Sequence, residues 1–237
     1  MRPAQGGVAT HGVVITMETM REHHIPVART ARYYTLGDPL GQPRELWYVC
    51  HGYAQLAARF LRRFAPLDDG NRLIVAPEAL SRFYIERPGR THAHSPVGAS
   101  WMTREDRLSE IDDYIGFLDA LHAQLFESLS SARTRVTVLG FSQGVATACR
   151  WVARGSVRAD RLVLWGGLLP PDLDLDAHAE IFRGLELVSV AGDADPHLPA
   201  AALSDQRTRL ARSGISVREV TYEGGHDVLG EVLVSLS

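Results

Sequence analysis

The stretch TVLGFSQGVATACRW, Thr137 to Trp151, is apolar on both sides of a serine that stands between Gly140 and Gly144. Across Ser142 the apolar spacing changes from that of a strand to that of a helix. A serine at such a junction can act as a nucleophile if the turn is tight. Its hydroxyl then projects above the sheet, and glycines two residues to either side avoid a collision within the turn. The competing use of the residue is a plain helix N-cap. A serine hydroxyl is a weak nucleophile at neutral pH, so a catalytic one needs a base, and the base needs an orienting carboxylate. Both have counterparts downstream. LVSVAGDADPHLP places Asp193 and Asp195 just beyond an apolar strand, and VTYEGGHDVLG places His226 just beyond the last strand. The chain order is serine, acid, histidine, with each on a loop after a strand. Either aspartate can reach the histidine. Pro196 restricts the backbone of Asp195, which suits a carboxylate that fixes one imidazole tautomer, whereas Asp193 after a glycine suits a turn. A developing oxyanion needs two backbone donors, and the N–H groups of Gln143 and of Tyr53, in WYVCHGYAQ, are placed to supply them.

Strands and helices alternate around these residues. ARTARYYTL (28–36), ELWYVC (45–50), RLIVAPE (72–78), RVTVLGF (135–141), RLVLWGG (161–167), LELVSVAG (185–192) and ISVREVTY (215–222) read as strands, several as the continuous apolar runs of a sheet buried on both faces. LAARFLRRF, QGVATACRWVARG, a short piece near 178–184, PAAALSDQRTRLARSG and DVLGEVLVSL read as helices. The clearest helix starts at Thr103, with Ile111, Tyr114, Ile115, Leu118, His122 and Leu125 on one face and Thr103 with Asp106 resembling a capping box. The segment Ala79 to Met102 has Pro and Gly breaks and no period, and reads as a long loop bordering the active-site mouth. The pattern predicts a loosely ordered segment over 1–27 and one α/β domain over 28–237, a mostly parallel central sheet with helices on both faces.

The motifs CHGYAQLA, RLIVAPEA, GASWMTREDR, GFSQGVATA, AGDADPHLP and YEGGHDV together resemble the phospholipase/carboxylesterase group of α/β-hydrolases, which includes the acyl-protein thioesterases. The resemblance runs from about Glu45 to Val228. It implies an α/β-hydrolase fold, a triad of Ser142, Asp195 and His226, oxyanion donors at Tyr53 and Gln143, and no cofactor. It further implies hydrolysis of a small ester or thioester through an acyl-enzyme, as a carboxylesterase, a lysophospholipase or an acyl-protein thioesterase. A catalytically silent binding protein on the same fold is the more distant alternative. Trp101 and Leu198 are candidate substrate-lining residues, Trp101 equally a core residue. At HGYAQ the better-known members carry a second glycine close after the first, a departure that bears on the acyl pocket.

Composition narrows the field. All 25 basic residues are Arg, so a Schiff-base lysine, a phosphate-loop lysine and a Ser–Lys dyad are excluded. Asn71 is the one asparagine, which disfavours a Cys–His–Asn site. A net charge of −3 gives no field that favours nucleic acid or an anionic membrane, and no apolar run approaches a membrane span. The N-terminal residues read poorly as a signal peptide, so a cytoplasmic protein is expected, with a homodimer left open. Cys50 and Cys149 read as small buried hydrophobes. His23, His24, His92 and His94 lack the spacing of a metal site, and no metal is expected. His51 reads as a hydrogen-bonding residue of the oxyanion loop. Asp172, Asp174 and Asp176 read as a solvated acidic turn.

Overall fold

The computed structural model describes residues 20–38, 41–86, 92–128 and 134–237. Residues 1–19, on which the signal-peptide reading rests, and 87–91 in the long loop lie outside these. The chain divides into two units, Met1–Thr30 and Ala31–Ser237. In the first, residues 20–30 form no helix or strand and are exposed.

The second unit is a seven-stranded sheet in the order β1-β3-β2-β6-β7-β8-β9. Its strands are β1 (Tyr33–Leu36), β2 (Glu45–Cys50), β3 (Arg72–Pro77), β6 (Arg135–Phe141), β7 (Arg161–Trp165), β8 (Glu186–Gly192) and β9 (Arg218–Tyr222). All neighbours are parallel except β1, which runs antiparallel to β3 at one edge. The apolar runs are explained by two cores. Leu46, Tyr48 and Cys50 of β2 join one cluster and Trp47 and Val49 the other, so alternate side chains of one strand fill both faces. The first face is covered by α2 (Arg107–Ser128) and α3 (Gln143–Arg154), with α4 (Ala179–Arg183) and α5 (Ala200–Arg212) adding Phe182 and Leu210. The second is covered by α1 (Ala57–Leu61), the 3-10 turn that continues it, and α6 (Gly230–Ser235). Among the described residues no helix is long and apolar enough to cross a membrane.

Two expectations are corrected. The segment 79–102 is not a featureless loop. It contains a second sheet in which β4 (Ser81–Tyr84) pairs antiparallel with β5 (Val97–Ser100), from Ser81 opposite Ser100 to Tyr84 opposite Val97. Four-residue strands whose partner lies a dozen or more residues away leave no local period to read. The hairpin is tied to the loop after β2, because Ala54 N–H donates to the Ala99 carbonyl at 2.9 Å and Ala99 N–H donates to that of Gln55 at 3.1 Å. Gly98 permits this approach, since a Cβ there would lie 2.6 Å from the Ala54 oxygen. The second correction concerns α2, which starts at Arg107 rather than Thr103. Thr103–Asp106 forms a turn with Asp106 at φ +45°. The hydroxyl of Thr103 accepts the Glu105 N–H, and the Glu110 carboxylate, not Asp106, takes the Thr103 N–H.

Candidate active site

Ser142 occupies the one-residue junction between β6 and α3 at φ +54°, ψ −117°, a region that L-residues rarely enter. Its N–H donates to the Trp165 carbonyl at 2.9 Å, which pins the turn to the neighbouring strand. The side chain makes no capping hydrogen bond to α3, so the plain N-cap reading fails. The flanking glycines are required by contact. A Cβ on Gly140 would lie 2.3 Å from the Gly144 oxygen, and one on Gly144 would lie 2.1 Å from the Cys50 oxygen. The first turn of α3 therefore packs directly on the end of β2.

The acid and histidine loops leave the ends of β8 and β9. Asp195 is buried, with its Oδ2 2.7 Å from His226 Nδ1 and its Oδ1 accepting the His197 N–H at 2.8 Å. Asp193 is exposed and takes the Gly224 N–H at 2.9 Å, joining the two loops instead of meeting the imidazole. Gly192 lets these loops touch, since a Cβ there would meet the Gly224 oxygen at 2.4 Å. The His226 loop is held from below by Trp165 Nε1, which donates to the Asp227 carbonyl, and by the Tyr222 hydroxyl at the Gly225 and Asp227 carbonyls. Arg63 grips the Asp227 carboxylate from the far side. His226 then lies beside the serine turn. Its ring centroid is 4.8 Å from that of Phe141, the residue before Ser142, and a Cβ on Gly166 would come 3.2 Å from its Cε1. Its Nδ1 engaged by Asp195, the imidazole has Nε2 left for substrate chemistry.

The loop after β2 closes the opposite side. A Cβ on Gly52 would stand 3.2 Å from Ser142 Cβ. Buried His51 sets the loop's shape, with Nδ1 2.8 Å from the Gly52 carbonyl and Nε2 accepting the Ala79 N–H at 3.1 Å. Burial pushes its pKa below the ordinary histidine value, against the raising effect of the Gly52 carbonyl, so the ring stays neutral with the proton on Nδ1. Gln55 Oε1 holds the Gly52 N–H at 2.9 Å. Among the described residues no acceptor takes the backbone N–H of Tyr53, or that of Gln143, which as the first residue of α3 has no intrahelical partner.

The other named residues sit as follows. Trp101 is 2 % exposed, and its indole N–H donates to the His51 carbonyl at 2.8 Å, so it packs behind the loop after β2 rather than on an open wall. Leu198 is buried beside the acid, its N–H on the Asp195 carbonyl. Asp172 stands exposed in a turn, as expected, but it is also paired with two arginines. Although burial raises its pKa, hydrogen bonds from Arg150 and Arg107 hold the carboxyl at about 2.

Two contributors escape a reading of the sequence. The Gln143 side chain accepts the Trp101 N–H and donates to the Met102 carbonyl and the Ser100 hydroxyl, which fixes the end of β5 against the serine turn. His197, exposed, sets its ring edge-on to His226 at 4.6 Å. The signal for the glutamine is its place within GFSQG, and for the histidine its place two residues after Asp195. Neither position states what it will touch.

A scan against protein-family models and a search of curated proteins both find no match. Solved structures do match. A phospholipase/carboxylesterase from Dyadobacter fermentans superposes with a TM-score of 0.62 at 20% identity, covering 90% of this chain and 98% of that one. Acyl-protein thioesterase 2 of Zea mays gives 0.67 at 19% identity, covering 87% and 96%. A carboxylesterase from Mesorhizobium loti gives 0.62 at 19%, covering 87% and 93%. The fold is that of the α/β-hydrolases. At these identities the likeness is one of architecture, and it spans nearly the whole of each neighbour.

Proposed function

We propose that the protein is a serine hydrolase of carboxylic esters, acting through Ser142, His226 and Asp195 without a cofactor. The observation that supports this most is the buried Asp195 carboxylate on His226 Nδ1 beside a serine held at positive φ with its hydroxyl unspent on helix capping. In the reaction His226 Nε2 takes the Ser142 proton as Oγ bonds to the ester carbonyl carbon. The oxyanion that forms is met by the Tyr53 and Gln143 N–H groups at the positive end of α3. The carbon–oxygen bond to the alcohol breaks as Nε2 gives its proton to the departing oxygen, leaving the acyl group on Ser142. Water then repeats the sequence: Nε2 takes its proton, the hydroxide oxygen bonds to the carbonyl carbon, and Oγ leaves with the proton returned. Asp195 stays ionised and stabilises the imidazolium in both halves.

The same groups serve a thioester, and the likeness in fold to an acyl-protein thioesterase supports keeping that substrate beside the oxygen ester. Ser142→Ala tests the assignment. The variant is expected to fold as the wild type by circular dichroism and to lose nearly all turnover of p-nitrophenyl esters, and retention of most activity would refute it.

A further inference from the structure

A cavity of about 570 Å³ opens one helical turn beyond Ser142, between the start of α2, the first turns of α3, the 168–172 segment and α5. Ala146, on the same face of α3 as Ser142, lines it, as does Leu168, which follows the Gly167 packed against the Ser142 carbonyl. The walls are apolar apart from Gln206, three guanidinium groups (Arg107, Arg150 and Arg209) and two carboxylates (Asp172 and Asp205). Arg150, 4 % exposed, grips Asp172 with two N–H groups at 3.2 and 2.7 Å, and Arg107 takes the same carboxylate at 2.7 Å. Both guanidinium groups thus share one carboxylate. Arg209 differs. Its donors reach only the carbonyls of Leu169, Pro170 and Leu173, at 3.2–3.4 Å, and no carboxylate among the described residues pairs with it. A half-buried cation that no carboxylate pairs, on the wall of a mostly apolar space one helical turn from Ser142, suits an anionic group at the end of a short apolar chain. The planar fork favours a carboxylate, the group that the neighbouring arginines already hold.

We infer that this cavity is a substrate subsite that takes a carboxylate carried on one limb of the ester, with Arg209 as its specificity-determining residue. The inference rests on the hydrolase reading above. The carboxylate can belong to the acyl limb or to the alcohol limb, and two matched pairs of substrates separate these. The first pair is p-nitrophenyl hemiadipate against p-nitrophenyl hexanoate, and the second is 4-(hexanoyloxy)benzoate against its methyl ester. For one pair, wild-type kcat/KM is expected to favour the charged ester at low salt, and the preference should shrink as sodium chloride is raised. In Arg209→Ala the ratio of charged to neutral should fall about tenfold, the size of a lost charge-assisted hydrogen bond, with Arg209→Lys between the two. Because Arg209 also braces the 169–173 loop, Ala202→Phe, which places a ring in the cavity, serves if Arg209→Ala does not fold, and it must remove the same preference. No preference for either charged ester in the wild type, or a ratio that survives both substitutions, would overturn the inference while leaving the hydrolase reading intact. Failure to turn over any of the four esters would overturn both.

Discussion

Asp193 and Asp195 are separated by a single residue and make different contacts. Asp195 is buried, braced by the His197 N–H and bonded to the imidazole, while Asp193 stitches the acid loop to Gly224. Replacing the acid by an amide leaves the shape and disturbs the imidazole tautomer. Asp195→Asn should therefore keep its melting temperature close to that of the wild type and lose on the order of 10⁴ in kcat, the loss seen for the same change in a trypsin-type site. Asp193→Asn removes a carboxylate from an exposed N–H and should cost less than about tenfold in kcat, with about 1 kcal/mol of stability. Steady-state kinetics on the two purified variants decide the matter, and the reverse order of loss would assign the acid to Asp193. The serine turn rests on similarly local demands. Gly144→Ala would drive a methyl into the Cys50 carbonyl, backbone against backbone, with no flexible side chain to yield. We expect a loss of about 3 kcal/mol or more in urea unfolding. Gly116→Ala, on α2 with nothing within 4 Å of the added methyl, is the matched control and should be neutral or slightly stabilising.

At the scale of elements, the parts that were legible in the sequence are those that bury both faces. Continuous runs such as ELWYVC and RVTVLGF, short, rich in β-branched and aromatic residues, read as interior parallel strands, and each then presents its next residues at the carboxyl end of the sheet, where His51 and Ser142 stand. Of the triad candidates, Ser142 and Asp195 follow such strands, whereas His226 follows the edge strand β9, in which Tyr222 alone is buried. The β4–β5 hairpin was not, because its strands are held by partners distant in sequence, Ala54 and Gln55 among them, rather than by any period of their own. Trp101 shows the limit from the other side. An aromatic before a polar turn reads equally as pocket wall or core, and only the indole bond to His51 separates the two. The start of α2 was misjudged because Glu110, one turn inside the helix, reaches back to Thr103 and caps the preceding turn in place of Asp106.

For the molecule as a whole, one buried and one half-buried imidazole link stability to pH. His51 in the loop after β2 and His122 on α2, whose Nδ1 lies 2.9 Å from the Tyr48 hydroxyl, both have pKa values lowered chiefly by burial. Below about pH 6.5, the ordinary histidine value, the unfolded chain takes up protons that the folded protein refuses. Their contribution is therefore complete above that pH and is lost progressively as pH falls toward the folded values. Melting temperature should decline between about pH 6.5 and pH 5, and His122→Gln, which keeps an acceptor for Tyr48, should make the decline shallower. An equally steep decline in that variant would remove His122 from the account. The central claim, that Ser142 is an activated nucleophile, is tested most directly by covalent labelling. The wild-type protein is treated with a fluorophosphonate, digested, and the modified peptide read by mass spectrometry. The account predicts a single adduct on Ser142 that disappears when the protein is first unfolded in urea. An unlabelled protein, or an adduct on another residue, would contradict it.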